Sequence, residues 1–253
     1  DVSSSTAYTR FVDLRSGCEL LLETVNFTAY DPAYNYKFNS AGKLDVLNSS
    51  VEEMGWWNAG PPDPTSGLYI SGGSAYFFNS DIRNNYIGML IRGASVLMES
   101  SGILGPQLGS IDMDNSVIEA RNCTIQDGSG GSIELAQSSR AEMIQTQFNS
   151  NKVIFLDGPS VVNVYWYLKV NTEWANHDPV SGATVRLSNQ QGTPLWSHTT
   201  DAAGQTSWEE VQEYSQRSAA KTMFTPHTVN VTSGMFSSEK QVTVDRSLEY
   251  TFT

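Results

Sequence analysis

Four stretches repeat one phrase: AYFFNSDI at 75–82, SVLMESSGI at 95–103, VIEARNCTI at 117–125 and AEMIQTQF at 141–148. Each passes alternating residues through a small polar pair and lands on one apolar residue. With Ile82, Ile103, Ile125 and Phe148 as anchors, the spacings are 21, 22 and 23 residues. The phrase extends back to Val51 and Phe27 and forward to Leu168, which predicts seven turns. A spacing this constant marks a supersecondary unit stacked on copies of itself.

Seven residues before the anchors stand Leu20, Leu44, Ala75, Val96, Ile118, Ala141 and Val161, and five before stand Leu22, Val46, Phe77, Met98, Ala120, Met143 and Asn163. Period two with no 3.6-residue period excludes helical repeats. A second inward pair follows each anchor: Tyr36 and Phe38, Leu68 and Ile70, Met89 and Ile91, Ile111 and Met113, Ile133 and Leu135, Ile154 and Leu156. Two strands and a bend per turn predict a parallel β-helix whose turns pair about 4.8 Å apart. Three residues before the anchors, Thr24, Asn48, Asn79, Ser100, Asn122 and Gln145 form a polar column suited to a side-chain ladder. The interval from Val51 to Ile82 is 31 residues, so MGWWNAGPPDPTSG carries an inserted loop.

The segment NSDIRNNYIGMLI at 79–91 resembles the repeat of right-handed parallel β-helix proteins of the pectate-lyase-like type, a likeness covering about residues 11–170. That resemblance implies a fold and not a function, because lyases, hydrolases, tailspikes and passive surface proteins share it. Beyond Trp174 the pattern changes to strands punctuated by Pro-Val-Ser-Gly, Gln-Gly-Thr-Pro and Ala-Gly turns. DPVSGATVRL, TTDAAGQT, HTVNVTSG and KQVTVDRSLEYTFT resemble the carboxypeptidase-regulatory-like β-sandwich, which implies a non-catalytic accessory module. EEVQEYSQRSAAKTM departs from that pattern and reads as a helical or irregular insert. The expected architecture is all-β, with a parallel β-helix over 1–170, including an arm or cap at 1–10, and a small sandwich over 171–253. Together the two modules resemble secreted cell-envelope or sheath proteins of archaea.

At 253 residues the chain has room for two domains. A net charge of −12 with 15 Lys and Arg argues against nucleic acid as a partner. No apolar run approaches the length of a membrane span, and the opening DVSSSTAYTR reads as a processed mature chain without a signal peptide. Abundant Ser, Thr and Asn with two cysteines fits an extracellular protein lacking an internal disulfide framework.

Glu119 and Glu142 share one outward register on adjacent turns, close to the carboxylate separation of retaining glycosidases. With Arg121 or Arg140 they would also suit a lyase, yet no further Asp continues the site. Asp112 and Asp114 in IDMDNS resemble a calcium loop but lack its glycine and read as a solvated strand face. His177, His198 and His227 are too dispersed for a zinc motif, and no P-loop, G-x-S-x-G elbow or dinucleotide fingerprint occurs. No cofactor, metal or catalysis is expected. Trp56 and Trp57 could stack on sugar, dock a partner or lie over the neighbouring turn. Sequons stand at Asn26, Asn48, Asn122 and Asn230; Asn48 and Asn122 read as buried ladder residues, leaving Asn26 and Asn230 as the better acceptors.

The outer face of the first strand is anomalous: Leu21, Leu47, Tyr76, Phe78, Leu97 and Ile144 stand among its charges. The outer face of the other strand is mostly polar, with Lys37, Asn39, Arg92, Asp112, Asp114, Glu134 and Asp157 against Tyr69, Leu90 and Phe155. Contiguous apolar surface marks a contact, made either with another molecule or with the C-terminal module. The expectation is a structural, self-assembling protein of an extracellular layer, sheath or fibre: a homo-oligomer or polymer near a cell-surface glycan, without membrane insertion. A carbohydrate-active enzyme using Glu119 and Glu142, or a glycan-binding adhesin, are the alternatives. Cys18 and Cys123 lie four turns apart, too far for a bond within one chain, so they either link neighbouring molecules or remain free thiols.

Overall fold

The computed structural model describes residues 11–28, 37–54, 67–218 and 220–253. The arm or cap at 1–10, Tyr36, and the loop carrying Trp56 and Trp57 lie outside the described residues. The chain divides into two units, Asp1–Val162 and Asn163–Thr253.

The first unit is a β-solenoid of three parallel sheets. Sheet I stacks Glu19–Glu23, Lys43–Leu47, Ser74–Phe78, Ser95–Glu99, Val117–Arg121 and Arg140–Ile144. Sheet II is built from short strands, Asn26–Phe27, Ser50–Glu52, Asp81–Arg83, Gly102–Leu104 and Thr124–Ile125. Sheet III runs from Phe11–Leu14 through Lys37–Ser40, Gly67–Ser71, Ile87–Arg92, Gly109–Asp114 and Ile133–Ala136 to Val153–Phe155. Like residues stack on like: Leu44, Ala75, Val96, Ile118 and Ala141 form one buried ladder, and Val46, Phe77, Met98, Ala120 and Met143 the next. The anchors Val51, Ile82, Ile103 and Ile125 fill the third side. Burial of this kind contributes about 1.5–3 kcal/mol per large side chain.

The corners explain the small polar pairs. Thr24, Asn48, Asn79, Ser100, Asn122 and Gln145 all have φ between 47° and 55°, so the column marks a left-handed corner that Asn tolerates best among non-glycine residues. Asn79 Nδ2 donates to Asn48 Oδ1 (2.9 Å) and Asn122 Nδ2 to Ser100 Oγ (3.4 Å). The ladder is on the outside: Asn48 and Asn122 are exposed, not buried as the sequence suggests, because a left-handed corner turns its side chain to solvent. The next residue points inward, giving a buried column of Ser49, Ser80, Ser101, Cys123 and Thr146. The N–H groups of Ser49, Ser80 and Cys123 donate to the hydroxyls of Ser80, Ser101 and Thr146 one turn on (3.0, 3.1 and 3.3 Å). Ser116, Ser139 and Ser160 repeat the device at a second corner. Several solenoid glycines are sterically fixed, Gly88 among them: a Cβ there would lie 2.4 Å from the Ser110 carbonyl oxygen.

Two expectations for the last turns are corrected. Six strands of sheet I define about six turns among the described residues, and Leu168, the predicted seventh anchor, is buried in the core of the second unit instead. In sheet III, Ile133 pairs with Val153, Glu134 with Ile154 and Leu135 with Phe155. Ile154 and Leu156 are therefore exposed, and Phe155 faces inward. A one-residue slip exchanges the faces of a strand, and the 3₁₀ turn Ser150–Lys152 just before it resets the count.

In the second unit, Pro194–Thr199, Thr184–Ser188, His227–Ser233 and Phe236–Val242 form a four-stranded antiparallel sheet in that order. A second layer contains Leu168–Thr172 paired parallel with Leu248–Phe252, and the hairpin Glu209–Arg217 with Ala220–Met223. Leu168, Val170, Val185, Leu187, Val211, Val229 and Phe252 share the core. The stretch read as helical or irregular is this hairpin, with Val211 and Tyr214 turned inward. Gly204 (φ 72°) sits where a Cβ would meet the Thr172 carbonyl oxygen at 2.5 Å, which explains the Ala-Gly turn.

Candidate functional site

Sheet I presents two outward ladders to the surface. One runs Leu21, Asp45, Tyr76, Leu97, Glu119, Glu142; the other runs Glu23, Leu47, Phe78, Glu99, Arg121, Ile144. Leu21 is 54% and Phe78 42% exposed, while Leu47, Tyr76 and Leu97 are half-buried by one another and by the charges between them. Tyr76 and Phe78 stack with ring centroids 6.4 Å apart. Tyr76 donates to Glu99 Oε2 at 2.6 Å, and that bond, with burial, holds the phenol pKa above its ordinary value. Ile144 is enclosed at 3% exposure and leaves the candidate surface. Val117, exposed at the start of its strand, extends the patch; its outward parity was readable eight residues before Ile125.

Glu119 and Glu142 are paired neighbours on adjacent strands. Each is engaged by an arginine two residues away in its own strand: Arg121 Nε to Glu119 Oε1 at 2.5 Å, and Arg140 Nε to Glu142 Oε1. Glu142 is buried. Each carboxylate is thus paired with a guanidinium of its own strand.

Sheet III holds a second carboxylate pair that the sequence reading passed over as a wet strand face. Asp112 and Glu134 are register partners. Arg92 Nη2 binds Asp112 Oδ2 at 2.7 Å and its Nη1 binds the Asp112 carbonyl at 2.9 Å. Burial, and then the Asp112 charge, push the Glu134 carboxyl above its usual range. Both line a cavity of about 250 Å³ bordered by Leu108, Gly130, Ser132 and Ile154. One carboxyl held by arginine beside another raised by burial is a usual way to separate acid and base roles. The signal available in sequence was the spacing of 22 residues on one outward parity.

Cys123 occupies the inward serine column, 3% exposed, its Sγ 3.2 Å from the Arg121 carbonyl oxygen. Burial raises its pKa. Both thiols are free, Cys18 on the surface and Cys123 in the core, so the proposed link from Cys18 to Cys123 of a neighbour has no accessible second sulfur and is withdrawn. Asn26 is exposed, while the half-buried Asn230 donates to Glu239 Oε2 at 3.3 Å. Among the described residues no group of three or more His, Cys, Asp or Glu side chains could hold a metal ion, and no helix is long and apolar enough to cross a membrane. His177 meets Glu173 at 3.2 Å and His198 meets Glu209 at 3.1 Å; His227 is wholly buried.

These geometries define a parallel β-solenoid followed by a small β-sheet domain. Residues 66–165 match the family model described as a right handed beta helix region. No curated protein and no solved structure matches the chain.

Proposed function

We propose that this chain is a structural protein of an extracellular layer, sheath or fibre, which associates with copies of itself through the outer face of sheet I. The observation that carries the reading is the apolar run Leu21, Leu47, Tyr76, Phe78 and Leu97 on consecutive turns of one flat face. A solenoid offers such a face at a fixed spacing of about 4.8 Å per turn, which suits lateral packing of like molecules. The acidic, Ser- and Thr-rich composition supports an exterior setting, and the resemblance to archaeal envelope proteins points the same way. Cys123, being buried, takes no part in the contact. Light scattering of the purified chain tests this: the wild type forms concentration-dependent assemblies, whereas Phe78→Glu with Leu97→Glu stays monomeric with an unchanged β-rich circular dichroism spectrum. Assemblies that survive the double change would sink the reading.

A second reading, a carbohydrate-active β-helix, is favoured by the raised Glu134 carboxyl beside Asp112 rather than by Glu119 and Glu142. A polysaccharide-cleavage screen in which activity disappears in Glu134→Gln would promote it over assembly.

A further inference from the structure

The C-terminal unit contains a cavity of about 230 Å³, floored by Val180, Val231 and Phe252 and walled by Trp174 and Phe236. Drug-sized ligands occupy roughly 300–1,000 Å³, so this space admits one ring. The two aromatic rings meet edge to face with centroids 5.7 Å apart. Trp174 is 42% and Phe236 67% exposed, although neighbouring core residues are almost sealed. An aromatic pair left open beside a finished core is unused binding surface.

The rim supplies polar groups of a particular kind. Glu173 gives one carboxylate oxygen to His177 Nδ1 at 3.2 Å, and its other oxygen has no partner among the described residues. Ser233, Ser237 and Ser238 are among the residues lining the same cavity; their hydroxyls make no side-chain hydrogen bond, and the Trp174 indole N–H is likewise uncommitted, among the described residues. An aliphatic ligand would strand these donors and acceptors, which costs binding energy. A planar aromatic ligand would leave the hydroxyls unused.

We infer that this cavity binds a pyranose residue, its C–H face against Trp174 and Phe236 and its hydroxyls on Glu173 and the rim serines. The site lies wholly in the C-terminal unit and does not rest on the assembly reading. It would let a surface protein hold a glycan by a module separate from its stacking face.

Saturation-transfer NMR on the full chain tests the inference, with methyl β-D-glucopyranoside, methyl β-D-galactopyranoside and methyl α-D-mannopyranoside as probes. Transfer to the ring C–H protons of at least one glycoside is expected. Trp174→Ala and Phe236→Ala should each reduce it about tenfold, as loss of a central aromatic contact does, while Trp208→Ala, at an exposed indole elsewhere in the unit, should retain it. Should Trp174→Ala disturb the fold, Phe236→Ala, the more exposed position, decides alone. Absence of transfer from all three glycosides, or transfer that survives Phe236→Ala, overturns the site. So does a Trp174→Ala chain that transfers normally but no longer self-associates, because the patch would then be a contact between copies.

Discussion

The two units satisfy buried polar side chains by different routes. In the solenoid, Ser49, Ser80, Ser101, Cys123 and Thr146 lie one above another, each supplying an acceptor to a backbone N–H and a donor to a backbone carbonyl. Ser40, at the end of a sheet III strand, and Ser132, just before another, have unpartnered hydroxyls and lie outside these columns. In the C-terminal unit, His227 is 0% exposed and neither ring nitrogen has a hydrogen-bond partner. The difference follows from topology: a repeat places the same group one turn away in the same orientation, so a polar column satisfies itself. The C-terminal unit has no such copy: Thr172, Thr200 and Thr206 are satisfied one by one by individual backbone groups. In the first unit the repeat itself supplies the partner, whereas in the second each buried polar group depends on a local one, which His227 lacks.

The largest test of that contrast is His227→Leu. Burial lowers the imidazole pKa from 6.5 to about 4. A depressed histidine is neutral in the fold but protonated when unfolded between these values, so its contribution is fully present above pH 6.5 and is lost as pH falls to about 4. The loss amounts to at most about 3 kcal/mol at 1.36 kcal/mol per pK unit. Denaturant titrations of the wild type and of His227→Leu should therefore diverge through this window in favour of the variant. Parallel curves would show that the imidazole finds a partner after all.

A smaller effect is expected for Ser80→Ala in the solenoid column. Ser80 Oγ accepts from Ser49 N–H at 3.0 Å and lies 2.8 Å from the Phe78 carbonyl oxygen. Alanine leaves a buried N–H without an acceptor, which costs about 1–3 kcal/mol. Urea unfolding should show it at neutral and acid pH alike, in contrast to His227. A change under about 0.5 kcal/mol would mean that the column is incidental.

The inner face was legible in the sequence because packing enforces it: Phe77, Met98 and Ile118 cannot change parity without leaving the core. The outer faces were legible only in part. The apolar flank and the Glu119–Glu142 register were readable from parity, but the arginines that engage both carboxylates depend on side-chain reach. Ile144 has outward parity and is nevertheless enclosed, which no period-two pattern can reveal. The cavity beside Glu134 depends on the loops around Leu108 and Gly130, which the repeat does not encode. The Trp174 cavity depends on the hairpin tip at 233–236 meeting residues 60 positions earlier in the chain. The slip at Val153 was hidden because a 3₁₀ turn changes the count without any glycine or proline to announce it.

The smallest effect is the most diagnostic. Cys123 stands where neighbouring turns have serine or threonine, with its N–H on Thr146 Oγ1 at 3.3 Å and its sulfur near the Arg121 carbonyl. If the column is what selects the residue, Cys123→Ser keeps every hydrogen bond and exchanges only a soft acceptor for a stronger, smaller one. Stability should then move by no more than about 0.5 kcal/mol. Cys123→Val keeps the bulk, discards the acceptor for Ser101 N–H, and should cost about 1–3 kcal/mol, as Ser80→Ala does. The reverse order, with valine tolerated and serine costly, would mean that Cys123 is there to fill space. Thiol labelling checks the same geometry independently: in the native chain Cys18 should react with maleimide at once, and Cys123 only after denaturation.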